Sequence, residues 1–367
     1  MDAYDVAVVG AGPAGSLAAR FAAVGGARTL LLDRRPELGF PVQCGEFLPS
    51  PRELKDLFRC PDVIDETFQI PPETVLRTTD RMTCVAPTGR RYSFPLEGFS
   101  VSRRAFDKRL ALDAEGAGAE LRFPAGVTRV RDDELSLADG GRIRARVVIG
   151  ADGPLSTVAR SVGFQVPREM FRMITATSEG DFPAEIDLFF GQFAPGGYAW
   201  MIPKARDANV GLGVAHLPRG ESLSRLLDRF LGREGYAPAT GRTRWWVPLG
   251  PPPESAVRGR ALFAGDAANL VMATNGGGIP TAMLSGRDAG VAAAHHVRDG
   301  APLTDYDRLW KSHLFDPLAR GHRIKRLGDR VVENDLLLAL GMRYIGASGL
   351  DDMMRLRWPR RLKGRSS

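Results

Sequence analysis

Val6-Ala7-Val8-Val9-Gly10-Ala11-Gly12-Pro13-Ala14-Gly15, followed by Ser16–Val24 and Arg28–Asp33, is the stretch that decides the fold. The apolar run Tyr4–Val9 reads as a buried parallel strand, Ser16–Val24 as the helix after it, and Arg28–Asp33 as the next strand. Each glycine has a physical task. Gly10 allows the tight turn out of the strand, Gly12 lets backbone approach a pyrophosphate, and Gly15 lets the helix pack close to the sheet. Ala14 lies in the same first turn, where amide N–H groups and the positive end of the helix dipole face the phosphates. Asp33 ends the second strand, where a carboxylate accepts hydrogen bonds from a ribose, and Arg34 follows it. A strand, a helix and an acid in these places make a glycine-rich turn without function a poor reading. The unit binds a dinucleotide.

Eight residues further on stands Pro41-Val42-Gln43-Cys44-Gly45-Glu46. A free cysteine is by default a buried, inert thiol. This one sits in a proline- and glycine-rich turn just past the ribose-binding acid, where it faces the reactive end of a bound cofactor. Glu46 either tunes that thiol or is solvated. Cys60 and Cys84 have no such setting and read as structural.

Composition bounds the rest. The chain has 367 residues, 44% hydrophobic and 25% charged, enough for a sizeable core in one or two domains. It has no apolar run long enough to span a bilayer, and the first strand leaves no room for a secretory leader. Three cysteines are no disulfide framework, so a reducing cytoplasm is the expected compartment. The five histidines lack ligand spacing, so no metal site is expected. Net charge is +7, with Arg355, Arg357, Arg360, Arg361, Lys363 and Arg365 clustered at the end. That tail is either a solvated extension or a contact for anionic lipid at the inner membrane face, with Leu356, Trp358 and Leu362 as apolar contacts. Nucleic acid is not an expected partner: helix-turn-helix, finger and aromatic-basic signals are missing.

Further along, Pro36–Pro51 reads as loop and Val101–Leu112 as a helix with Arg103 in its first turn. Arg144–Gly150 and Arg260–Ala264 repeat the buried-strand pattern, closing on Ala151-Asp152-Gly153 and Gly265-Asp266-Ala267-Ala268. Between them, Ile186–Phe190, Tyr198–Ile202 and Asn209–Ala215 carry the texture of an antiparallel sheet, and Leu223–Leu231 reads as a helix. Gly276-Gly277-Gly278-Ile279-Pro280 opens a second helix aimed at the cofactor. Two helix ends, with Asp266 for ribityl hydroxyls, suit a long dinucleotide, namely FAD. The expected architecture is α/β: a discontinuous Rossmann-type FAD-binding domain (1–75, 100–165 and 258–300), an inserted antiparallel-sheet substrate domain (76–99 and 166–257), and C-terminal helices with a basic tail (301–367).

On a strand, Tyr198, Trp200 and Ile202 share one face. They are either ordinary core side chains or an apolar wall for a hydrocarbon substrate. The first reading is weakened by the proline- and glycine-rich turn beside them.

The combination G-A-G-P-A-G, A-D-G-x-x-S-x-x-x-R and G-D-A-A resembles the aromatic-hydroxylase-type flavoprotein monooxygenase superfamily. Within it, P-V-Q-C-G-E and P-G-G-Y-A-W-M-I-P are similar to the P-x-x-C-G and P-x-x-Y-x-W-x-F-P signatures of the geranylgeranyl reductase family, with Ile202 where phenylalanine is usual. The resemblance implies reduced FAD saturating the double bonds of a geranylgeranyl or polyprenyl chain, on a lipid, a prenyl diphosphate or a prenylquinone. It implies cofactor contacts at Gly10, Gly12, Ala14, Gly15, Asp33, Arg34, Cys44, Gly45, Arg103, Asp152, Gly265, Asp266, Gly277, Gly278 and Ile279. Tyr198, Trp200 and Ile202 bind substrate, and Cys44 or Tyr198 relays a proton. Arg103 either reaches the FAD or is an exposed helix arginine. Only one complete fingerprint exists, so the electron donor, NAD(P)H or a ferredoxin-like protein, docks transiently. Two rivals stand. An oxygen-using monooxygenase or a halogenase is one, although between Asp33 and Trp200 only Lys55 and Lys108 offer the lysine that halogenases need. A flavin-bound, membrane-associated binding module is the other.

Overall fold

The computed structural model describes residues 2–165 and 169–365, with side chains through 362. Two sheets organise it. The first runs Val257–Arg258, Ala261–Phe263, Arg142–Gly150, Asp2–Val9, Thr29–Leu32, Glu120–Arg122. From Ala261–Phe263 to Glu120–Arg122 every neighbour is parallel. The inner ends of these strands are buried on both faces, which is why they read as unbroken apolar runs. Gly10, Asp33, Asp152 and Gly265 all follow the carboxyl ends of its strands, the edge where open α/β sheets bind ligands.

The fingerprint helix is Pro13–Val24 and the later helix is Ile279–Asp299. Glycines let their backbones approach: a Cβ on Gly286 would stand 2.1 Å from the Ala14 carbonyl oxygen, and one on Gly290 2.4 Å from that of Ala18. This packing brings both helix N-termini to one edge of the sheet.

The second sheet runs Thr240–Pro248, Met170–Glu179, Asp207–Val214, Tyr198–Pro203, Ile186–Phe189, Val75–Val85, Arg91–Val101, Phe47–Pro49. It is antiparallel except where Ile186–Phe189 meets Val75–Val85 in parallel. The chain completes strands of the first sheet between those two, so it returns by a crossover rather than a hairpin. Two stretches differ from expectation. Phe47–Pro49 is an edge strand rather than loop, and Pro51 starts the Pro51–Phe58 helix, with the Ser50 hydroxyl accepting from the Glu53 amide at 3.3 Å. Four prolines obscured an ordinary serine-proline helix start.

Alternation along Tyr198–Pro203 separates two cores. Ala199 and Met201 join the cluster under the Leu223–Glu234 helix; Tyr198, Trp200 and Ile202 join the cluster on the opposite face. That second face is covered by the last helix, Asp335–Met354, which bends at Gly346 (φ 66°). The first part of the basic tail, Arg355 to Arg360, is docked rather than free in solvent. Arg355 bonds Glu53 and Asp351, Arg357 bonds Asp56, Arg360 bonds Asp352, and Leu356 is buried against Gly321. Leu356 therefore cannot serve as a lipid contact, and Lys363 and Arg365 lie outside the described side chains.

Candidate active site

A cavity of about 1140 Å³ opens between the carboxyl edge of the first sheet and the Trp200 face of the second. Among the residues singled out from sequence, Gly10, Gly12, Ala14, Asp33, Arg34, Cys44, Gly45, Arg103, Asp152, Asp266, Gly277, Gly278, Ile279, Tyr198, Trp200 and Ile202 line it. Gly15 and Gly265 do not. A Cβ on Gly15 would lie 1.7 Å from the Gly10 carbonyl oxygen, so its role is packing; Gly265 (φ 59°) turns the chain beneath Ala14 and Ala282. Lys55 and Lys108 are not in the wall.

The polar end of the cavity fits a dinucleotide. A Cβ on Gly12 would meet nothing within 4 Å, so open space lies where a pyrophosphate approaches. The fingerprint helix and the Ile279–Asp299 helix begin at Gly12 and Gly278 with no side-chain cap, whereas serines cap the helices that start at Arg103 and Leu223. Uncapped N–H groups facing a cavity are an anion site. Asp266 projects into this space; burial pushes its carboxyl up to about 6, with the Arg103 charge opposing. Asp33 is buried and accepts from the Ala11 amide at 2.8 Å and from Arg35 Nη2 at 2.9 Å. Burial works against its charge, but the Arg35 bonds prevail and its carboxyl stays below the usual range. Asp152 turns its carboxylate to the Thr157–Val162 helix, accepting from the Thr157 amide at 2.6 Å, so it offers the cavity mainly its backbone.

At the junction with the apolar end sits Cys44. Its Sγ accepts from the Glu46 amide at 3.2 Å. The Arg103 guanidinium is not an exposed helix arginine. It is clamped by Asp107 through two bonds of 2.8 Å. Burial disfavours its charge, and Asp107 with the Cys44 sulfur outweighs burial, so it stays protonated. Glu46 is not solvated either. It is buried, ion-paired to Lys204, and accepts from Asn209 Nδ2 at 3.1 Å and the Arg103 amide at 3.3 Å. Glu46 also adopts φ 66°, an uncommon region for a side chain this size. Gly45 before it leaves room for the wall, because a Cβ there would lie 2.8 Å from Ile202 Cδ1 and push that side-chain end aside.

Sequence reading missed the centre of this arrangement, Asn209. Its Oδ1 accepts from Trp200 Nε1 at 2.8 Å and Thr175 Oγ1 at 2.9 Å, and its Nδ2 donates to the Cys44 carbonyl at 2.9 Å. The one signal was a buried amide within the apolar strand Asp207–Val214. Tyr198 donates its hydroxyl hydrogen to the Asn275 carbonyl, and burial, then the Cys84 and Cys44 sulfurs, raises its pKa. The far wall comes from Leu338, Met342, Leu350 and Met354 of the last helix, which sequence reading did not assign to the site.

A parallel-sheet nucleotide site joined to an enclosed apolar chamber, with a thiol at the seam, defines an FAD-dependent oxidoreductase of the monooxygenase-like fold. Sequence comparison carries this further. Residues 169–243 match the geranylgeranyl reductase catalytic domain, and residues 5–176 match the lycopene cyclase protein family. The digeranylgeranylglycerophospholipid reductase 1 of Methanothermobacter thermautotrophicus is 34% identical over 88% of this chain and 85% of its own length. A geranylgeranyl bacteriochlorophyll reductase-like protein from Thermoplasma acidophilum superposes with a TM-score of 0.83 at 25% identity, covering 99% of this chain and 98% of that one. A probable FAD-dependent monooxygenase from Pseudomonas aeruginosa shares the fold alone: TM-score 0.68 and 18% identity, over 93% of this chain and all of that one. The chain belongs to the digeranylgeranylglycerophospholipid reductase family of geranylgeranyl reductases.

Proposed function

We propose that this enzyme saturates the carbon–carbon double bonds of a geranylgeranyl-type chain carried on a glycerophospholipid. The observation that carries the reading is the continuity of the cavity: nucleotide-binding edge, Cys44 and a long apolar chamber form one space. Burying methylene groups against such walls contributes about 0.8 kcal/mol each, which suits a long hydrocarbon substrate such as a polyprenyl chain.

The polar end would hold FAD: the two uncapped helix ends would take the phosphates, Asp266 the ribityl hydroxyls, and Asp33 with Arg34 and Arg35 would frame the adenosine end. When bound and reduced, FAD supplies a hydride. An isolated alkene is a poor hydride acceptor, so a proton must arrive at the other carbon as the hydride is delivered. The apolar lining disfavours water around a bound alkene, and Trp200 and Ile202 hold the chain against the Cys44 turn. Cys44 Sγ is the proton-bearing group at the seam. Tyr198 orients instead, because its hydrogen is committed to the Asn275 carbonyl and its acidity is lowered. Electrons reach the flavin from NAD(P)H or a ferredoxin-like protein that docks transiently.

The test is dithionite-reduced enzyme under nitrogen with geranylgeranyl diphosphate, digeranylgeranylglycerol phospholipid and a prenylquinone, read by mass spectrometry. The lipid should gain H2 per double bond. No hydrogen gain from any of the three, with oxygenated product appearing only in air, would overturn the proposal.

A further inference from the structure

The corner between the helices Asp316–Gly328 and Asp335–Met354 is apolar on both sides. Leu338, Met342 and Ile345 pack inward on the wall cluster. Leu336, Leu337, Leu340 and Tyr344 face outward and are 67, 48, 52 and 48% exposed. Spacings of three, four and eight place them on one face. Leu327, at the end of the preceding helix, is exposed beside them. A helix segment that is apolar all round is normally covered. Half of the ten large apolar side chains exposed among the described residues fall in this corner.

The corner is also a mouth of the cavity. Leu327 and Tyr344 are at once exposed and part of the cavity wall, with Gly328, Val331 and Gly341 between them. Four exposed arginines lie on these elements: Arg323 and Arg326 on the first helix, Arg330 in the turn, where it also lines the cavity, and Arg343 on the second. Among the described residues none of the four guanidinium groups makes an ion pair or hydrogen bond. Of the nearby acids, Asp329 bonds Lys325 and Glu333 lies 3.5 Å from His216, which leaves Asp335 alone against the four arginines. A second copy of the chain seated here about a twofold axis would set arginines against arginines. An anionic bilayer satisfies both the leucines and the arginines.

We infer that this corner seats on an anionic lipid bilayer, leucines at the acyl boundary and arginines at the head-group phosphates, so that a prenyl chain enters the cavity directly from the membrane. Arg355, Arg357 and Arg360 of the basic tail are already paired with acids, whereas the arginines of this corner are not. The inference rests on the prenyl-lipid reading above, and its test is independent of turnover.

FAD-loaded full-length protein is sedimented with vesicles of phosphatidylcholine alone, or containing about 25% phosphatidylglycerol. It should pellet with the anionic vesicles and stay in solution with the neutral ones. Leu336→Ser/Leu337→Ser/Leu340→Ser and Arg323→Glu/Arg326→Glu should each lower the bound fraction about tenfold, with unchanged flavin spectra and unchanged reduction of detergent-dispersed geranylgeranyl diphosphate. Wild-type protein that ignores anionic vesicles, variants that bind as well as wild type, or a wild-type dimer that the leucine variant splits would each overturn the inference. Vesicle binding as expected without reduction of any prenyl substrate would instead sink the functional reading and leave this one standing.

Discussion

Asn209 shows how much of the site hangs on one buried amide. It joins the indole of Trp200, the carbonyl of Cys44 and the carboxylate of Glu46, so it fixes the wall and the thiol turn relative to each other. Asn209→Leu leaves the Trp200 indole N–H buried without its partner, at about 1–3 kcal/mol, and removes one bond each from the Cys44 carbonyl, which keeps Thr175 Oγ1, and from Glu46, which keeps Lys204 and the Arg103 amide. A melting curve should show the loss, and prenyl reduction should fall even below the melting range, because the Cys44 turn is held less firmly against the wall. Cys44→Ala should slow alkene reduction and leave FAD bound; turnover equal to wild type would remove the thiol from the chemistry. Asp266 carries a pH signature. Its folded pKa, about 6, lies above the ordinary 3.8, so the fold favours the protonated form. Stability present below about pH 4 is lost as pH rises through 6, a change on the order of 3 kcal/mol. Flavin-stripped protein should therefore melt lower at about pH 8 than at about pH 5, and Asp266→Asn should flatten that difference while weakening FAD binding.

At the scale of elements, two glycines of one motif separate binding from folding. Gly12 has open space around its missing Cβ, whereas a Cβ on Gly15 would enter the Gly10 carbonyl. Gly12→Ala should leave the melting temperature of stripped protein within a degree or so while raising the FAD dissociation constant at least tenfold, worth about 1.4 kcal/mol. Gly15→Ala should destabilise stripped protein by several kcal/mol, of the order seen for overpacking against fixed backbone. Equal melting of the two variants would show that the motif acts only in folding or only in binding. The fingerprint was legible in sequence partly for this reason: Gly15 answers to the Gly10 carbonyl within the same motif, although Gly10 itself answers to the Ala151 carbonyl on a distant strand. The Tyr198–Ile202 wall was legible because strand alternation has a fixed period of two. The last helix was legible as a helix but not as a wall of the site, since Leu336–Met354 is apolar on both sides and offers no stripe to read. Asn209 was not, since its partners Thr175 and Cys44 lie 34 and 165 residues away in sequence.

At the scale of the whole molecule, the two sheets and the last helix line one chamber, and the chain end is clamped back on the Pro51–Phe58 helix beside it. Arg355 lies just past the last helix and joins it to Glu53 on the Pro51–Phe58 helix, with Asp351 at 2.8 Å and the Pro95 carbonyl at 2.8 Å completing the contact. Both Arg355 and Glu53 are largely buried, with side chains 14 and 13% exposed. Removing one member of such a pair strands the other charge in a poor solvent and costs about 3–5 kcal/mol. Glu53 also accepts from the Glu97 amide at 3.2 Å, so the strain reaches the strand that lines the chamber. Arg355→Ala should therefore lower the melting temperature and loosen the roof made by Leu338, Met342, Leu350 and Met354. The flavin edge of the site is built elsewhere and should keep its FAD affinity. KM for a full-length prenyl lipid should rise several-fold, while a short prenyl acceptor that never reaches the roof keeps its KM. A uniform loss for both acceptors would mean that the clamp serves stability alone and that the chamber is closed by its apolar contacts.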